Sequence, residues 1–319
     1  MGDTVFIGSC AGTFYALDKT SGEKRWEYDI RADGKQTSFH GDPLVADDLI
    51  LVGTDYSCSP DGVGHLYAFN IADGTVRWKY NSLVGLSTNV IRVESNAWVG
   101  TVAGDWESVA IRSGRMNAHV PTPTPKGECE LPKWLGATGD SVVAVGKDNL
   151  IYTLSNRTGR IRWKVKLPGD PSTSPAIRGD EILIGGRDKR VYTLTVRDGK
   201  VKSSLPVNGV PIGRALIVAD VAVFILDGAK PNHGSVAALG RNGILWSAEL
   251  AREQSSEQPY AWNGAVVVGD CGGTITALTL DTGKSAWSTS LDGCIRSIGG
   301  DKTSLYIGAQ QGTVFRLNY

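Results

Sequence analysis

Short apolar runs separated by polar turns recur along the whole chain. The clearest copy lies between Ser172 and Ser203. Ser174 to Ile177 predicts a first strand, A. A Gly179-Asp180 turn leads to strand B, Glu181 to Ile184, and a polar loop over 187–190 leads to strand C, Val191 to Val196. Asp198-Gly199 then turns the chain into strand D, Lys200 to Ser203. The runs are short and β-branched, and Gly-Asp and Asp-Gly pairs mark the turns. No helical periodicity extends over ten or more residues, so the chain reads as all-β. One such sheet cannot bury both of its faces alone, so copies must stack.

A glycine closes strand B in nearly every copy: Gly8, Gly53, Gly100, Gly146, Gly186, Gly269 and Gly308, with Leu226 in the sixth. Successive spacings are 45, 47, 46, 40, 40, 43 and 39 residues. Four strands at periods of about 40–45 residues predict a β-propeller. The C–D turns repeat too, at Gly22, Gly74, Gly114, Gly159, Gly199, Gly243 and Gly283. Shortly after the turn glycine comes Trp26, Trp78, Trp163, Trp246 or Trp287, whereas Ala118 and Ser203 stand there in the third and fifth copies. An indole on the outer strand fills the wedge between diverging blades and keeps an N–H for a partner. These tryptophans read as structural.

The segments from Gly8 to Trp26 and from Gly269 to Trp287 carry a Gly…Gly…Ala-Leu…Thr/Ser-Gly…Trp pattern. On it the chain resembles the PQQ-like, quinoprotein-type propeller repeats over essentially its whole length. The resemblance implies one all-β domain over 1–319, an eight-bladed β-propeller of four-stranded antiparallel blades whose first and last blades are incomplete. Repeat one starts at strand B and repeat eight stops after C. That predicts a missing D–A closing segment of roughly 15–20 residues upstream, since an open ring exposes strand edges. The alternative is simply two three-stranded blades.

Composition narrows the function. Gly makes up 40 of 319 residues, above the usual ~7% share. Thirty-three basic residues balance 33 acidic ones, which argues against nucleic acid as partner. No apolar run approaches the ~18 residues of a membrane span, and no signal peptide is visible in this chain. No nucleophile elbow, phosphate loop, dinucleotide fingerprint or zinc-ligand spacing occurs. His40, His65, His119 and His233 are scattered, and Asn156-Arg-Thr158 is better explained as a C–D turn than as a glycosylation acceptor.

Three insertions break the period, over 55–63, 121–133 and 227–233. All fall in B–C loops or D–A connectors, which alternation of strand direction places on one face. Elaborated loops on a rigid scaffold are where function concentrates. Cys10, Cys58, Cys129, Cys271 and Cys294 map to the same face. Cys10 with Cys58 and Cys271 with Cys294 lie on neighbouring blades, so two cross-blade disulfides stand against five reduced thiols. Counting twelve residues back from each repeat glycine gives a candidate axial ring: Gly41 beside His40, then Thr88, Trp134, Ser174, Arg214, Glu257 and Arg296. It reads as a funnel for a small polar ligand or a peptide tip, or as a water-filled, charge-balanced channel.

Relatives by resemblance include quinone-dependent alcohol dehydrogenases, envelope assembly lipoproteins of the BamB type and kinase sensor domains. The dehydrogenases hold PQQ with a vicinal cysteine pair and a calcium ion. This chain has no Cys-Cys dipeptide, and one axial carboxylate, Glu257, is too few for calcium. No cofactor is therefore expected. The reading is a non-catalytic binding or scaffold module for a protein partner, in a periplasmic or extracellular bacterial setting. The alternatives are a PQQ-dependent dehydrogenase or its remnant, and a polysaccharide-binding or -cleaving propeller.

Overall fold

The apolar runs become strands buried along nearly their whole length, as in Leu49–Asp55, Ser141–Val145, Glu181–Gly186 and Ala265–Gly269. Outer strands such as Val76–Ser82, Ile161–Lys166 and Ser285–Ser290 instead alternate between exposed and partly buried positions. Strands covered on both faces need continuous apolar character; a strand at the rim needs only every second residue. Lysine and arginine on the rim, Arg77, Lys79, Arg162, Lys164 and Lys166 among them, discourage edge pairing.

The computed structural model describes residues 2–34, 38–39, 41–55, 63–123, 135–230, 233–252 and 258–318. Its strands form antiparallel sheets in sequence order, grouped in two compact units, Met1–Lys166 and Leu167–Tyr319. The sheets are the blades of an eight-bladed β-propeller fold, four blades in each unit. Blade one has strands B, C and D (Thr4–Gly8, Thr13–Asp18, Lys24–Asp29), and blade eight has A, B and C (Ile295–Gly300, Ser304–Ala309, Val314–Asn318). In blade two the A position is split into Ser38–Phe39 and Leu44–Ala46, both pairing with strand B. The break falls where Gly41, at φ 76°, approaches Thr88 so closely that a Cβ would lie 2.3 Å from its carbonyl oxygen.

The repeat frame differs by one residue in the middle blades. Strand C residues Leu66 and Trp106 pair with Gly53 and Gly100. Their counterparts Ile151, Val191 and Val236 pair with Val145, Gly185 and Ile225, one place before Gly146, Gly186 and Leu226. The sixth copy has no glycine to lose: Val221–Lys230 and His233–Leu239 extend as one long hairpin.

The core lies between consecutive sheets. Phe14, Phe39 and Phe69 fill the space between blades one and two, and Leu51, Leu66 and Val99 that between two and three. In the second unit Phe224 packs between blades five and six, and Val268 with Leu278 between six and seven.

At the A–B/C–D end the outer-strand tryptophans join neighbours in one repeated geometry. Trp26, Trp78 and Trp246 donate their indole N–H to the carbonyls of Ile71, Ile111 and Leu280, at 3.0, 2.9 and 2.7 Å. Each acceptor stands three residues before the next blade's turn glycine. Those glycines, Gly74, Gly114 and Gly283, have φ of 72°, 66° and 68°. A Cβ there would come within 2.5 Å of the ring in the first two and 2.4 Å in the third. Only glycine serves both the left-handed turn and the indole contact. Trp163 is half-buried on its strand. Trp287 packs edge-on against Trp262 at 6.3 Å, and Trp262 donates to the Asp301 carbonyl at 2.6 Å.

Where the indole is absent, other groups fill the recess. In blade three Ala118 leaves room for Trp98 of strand B, which donates to Asn156 Oδ1 at 2.8 Å. Asn156 is fully buried and its amide also donates to Glu94 at 3.3 Å. It is a structural acceptor at the C–D turn. In blade five Ser203 replaces the indole, and a buried ion cluster joins blades five and six. Arg178 and Glu181, with side chains only 3% and 7% exposed, pair at 3.0 Å. Lys202 and Arg241 also reach Glu181, at 2.7 and 3.3 Å. Arg178 further donates to the carbonyls of Asp220 and Leu239, at 3.0 and 3.3 Å.

Candidate interaction face

The opposite end of each sheet carries the B–C turns and D–A connectors. The short turns there are locked by their own side chains. In blades four and five the Tyr152 and Tyr192 hydroxyls donate to Asp148 and Asp188, each at 2.5 Å, across turns with Asn149 and Lys189 at positive φ. Burial, then the hydrogen bond to the carboxylate, pushes both phenols above their ordinary value. Most of the three sequence insertions lies outside the described residues, as do Cys58 and Cys129.

Between blades one and two, Asp33 accepts from Tyr28 at 2.5 Å and Tyr67 at 2.7 Å, with Lys79 at 3.7 Å. Burial acts most strongly to raise the Asp33 pKa, but the two phenols and Lys79 together hold it below the usual value. His65, at the start of strand C, is buried, and burial, with Lys79 next, lowers its pKa. This network fixes the 3-10 turn Ile30–Asp33 on the sheet.

Cys271 and Cys294 form a disulfide, with Cα atoms 3.7 Å apart, inside the ~7 Å reach of a bridge. It ties the B–C turn of blade seven to the connector entering blade eight. Cys10 is exposed, and its expected partner Cys58 lies outside the described residues.

The axial candidates are placed differently in the two units. In the first, Thr88 is fully buried: its Oγ1 accepts from the Gly100 N–H at 2.7 Å and donates to the Asn89 carbonyl at 3.0 Å. His40 and Trp134 lie outside the described residues. In the second, Thr173 makes the equivalent bond to Gly185 N–H at 2.8 Å. The register shift thus moves the equivalent position from Ser174 to Thr173. Ser174 is buried, donates its N–H to the Gly213 carbonyl at 2.9 Å and forms a bridge with Arg214. Arg296 is exposed and donates to Gln310 at 2.9 Å. Glu257 lies outside the described residues. For PQQ the fit is poor: Cys271 and Cys294 are 23 positions apart rather than adjacent, and Arg296 is already bonded to an amide.

Two features here escaped the sequence reading. Leu83, in the connector between blades two and three, is 92% exposed, and Val63, entering strand C of blade two, is 47% exposed. The two segments touch: a Cβ on Gly64 would lie 2.7 Å from the Val84 carbonyl and from Gly85 Cα. The second is a polar notch one residue from Leu83. Ser82 Oγ donates to Glu107 at 3.2 Å, and the His119 ring lies between Glu107 at 3.3 Å and Asp105 at 3.5 Å. His119 and Glu107 sit on adjacent strands as paired residues, so only the ladder register shows them together.

The stacked four-stranded sheets, the repeated C–D glycines and the indole joints define a PQQ-like β-propeller. The family model described as outer membrane protein assembly factor BamB matches residues 1–133, 132–224 and 232–318, and the chain belongs to this family. A BamB from Shewanella oneidensis is 27% identical over 173 residues, 51% of this chain and 41% of that protein. A BamB from Yersinia pestis is 23% identical over 98% of this chain and 69% of its own length. The crystal structure of BamB from Moraxella catarrhalis superposes with a TM-score of 0.80, at 17% identity, covering 100% of this chain and 95% of that one. At that identity the likeness speaks for the fold alone. Among the described residues no helix is long and apolar enough to cross a membrane.

Proposed function

We propose that residues 1–319 work as one non-catalytic propeller scaffold that holds protein partners during outer-membrane protein assembly, in the periplasm or outside the cell. The observation that carries this reading is Leu83. This leucine is 92% exposed and its segment touches that of Val63, 47% exposed, so the two neighbouring segments offer an apolar contact for another protein. Family membership supports the assembly setting, and the Cys271–Cys294 bridge suits an oxidising compartment. The test places a photo-cross-linking amino acid at Leu83 in the full chain in its host cell, with the exposed rim position Ile161 as control. Cross-links from position 83 to an outer-membrane assembly protein, absent from position 161, are expected. Equal labelling from both positions, or none from 83, contradicts the reading.

A further inference from the structure

The notch beside Leu83 differs from the buried Glu181 cluster in one respect. Glu181 is met by three cations. Glu107 has the same depth, with a side chain 5% exposed, yet among the described residues its ion pair is with His119. Its Oε1 takes Ser82 and His119, while its Oε2 is buried with no hydrogen-bond partner. Tyr80 stands close: its hydroxyl donates to Met116 Sδ at 3.4 Å, and burial, then the charge of this carboxylate and hydrogen bonding to it, push its phenol up. Asp105, the second carboxylate, spends one oxygen on the Thr122 N–H at 2.9 Å and turns the other to His119 at 3.5 Å. Two carboxylates thus face one imidazole, and an orphaned buried oxygen is costly until a donor reaches it.

We propose that this notch of Asp105, Glu107 and His119 receives an arginine or lysine side chain from the protein partner, while Leu83 packs on an apolar residue next to that cation. The proposal rests on the scaffold reading and adds the chemistry of the partner. Charge complementarity selects a cation. A guanidinium, with several donors in a fixed fork, suits two carboxylates best. Among the described residues no His, Cys, Asp and Glu group is arranged to hold a metal ion, and a bare cation would make no use of Leu83. The His119 side chain, 43% exposed, is the movable wall: swinging outward opens Glu107 to the incoming group.

The test uses the full chain and two capped peptides, acetyl-Leu-Arg-Leu-amide and acetyl-Leu-Gln-Leu-amide, followed by NMR of the His119 ring and the Leu83 methyls. The arginine peptide is expected to shift both signals saturably in the millimolar range. Asp105→Asn and Glu107→Gln should each weaken it on the order of tenfold. Asp105, at the rim of the notch, gives a readout even if Glu107→Gln does not fold. No saturable shift, or an equal one with the glutamine peptide, overturns the proposal. If cross-linking from position 83 succeeds while the peptides fail, the scaffold reading stands and the cationic anchor falls. If the peptides bind while cross-linking fails, the site stands without that role.

Discussion

Blades one and two meet over an indole; blades five and six meet over a buried ion cluster. Both fill the same recess, at the outer end of the A–B/C–D side. Trp26 packs near Phe6, Phe14 and Phe69, with ring centroids 5.8 to 6.0 Å away, and donates to the Ile71 carbonyl. Arg178 and Glu181 span the other recess with charge-assisted hydrogen bonds to side chains and main-chain carbonyls. The repeat therefore fixes a space to be filled rather than a residue to fill it. The two fillings differ in what they respond to. An apolar joint depends on buried area, whereas an ionic joint depends on every partner staying in place and charged.

The largest expected loss is at the indole joint. Trp26→Ala should cost about 3–5 kcal/mol, read as a lower urea midpoint. At the ionic joint Arg178→Ala should cost about 3 kcal/mol, because it strips Glu181 of its most buried cation. Arg178→Met with Glu181→Leu removes both charges and should cost far less than the single change. A double change as costly as Arg178→Ala would mean that packing, not charge, makes this joint. A covalent tie sharpens the contrast at blades seven and eight. Cys271→Ser with Cys294→Ser should lower stability by about 3 kcal/mol for a loop of this length, matched in the parent by reduction.

Gly114→Ala should cost about 2 kcal/mol, part from its left-handed φ and part from meeting the Trp78 ring. In a Trp78→Leu background the second part should vanish. Equal costs in both backgrounds would separate the turn from the joint.

The fold was legible because the middle strands are covered on both faces, so short apolar runs such as Leu49–Val52 and Val142–Val145 recur between turn residues at a period of about 40–45 residues. The three-stranded first and last blades followed from the same count. The one-residue shift in blades four to six was not legible, since glycines were counted while the ladder pairs Val145, Gly185 and Ile225. Nor was the ionic joint: Arg178 and Glu181 flank Gly179-Asp180 and look like ordinary turn polars. Trp98 looks like one more apolar residue in a buried strand until Ala118 is seen to leave its space. At the candidate site Leu83 lies in a connector without a motif, and Glu107 and His119 are joined only by strand pairing.

The most direct measurement of the central claim compares the acid sensitivity of unfolding in the parent chain and in the Arg178→Met/Glu181→Leu variant. Burial, the largest influence on Glu181, raises its pKa, but the hydrogen bonds and charges of Lys202 and Arg178 outweigh it and hold the folded value below the ordinary 4.5. A depressed carboxylate gives stability that is complete above the unfolded value and fades as pH falls through the folded one, at about 1.4 kcal/mol per unit of depression. Urea unfolding at neutral pH and again well below 4.5 should therefore show the parent losing more than the variant, with Trp26 and Trp78 intact in both. Parallel losses in the two proteins would contradict an ionic joint in the place of an indole.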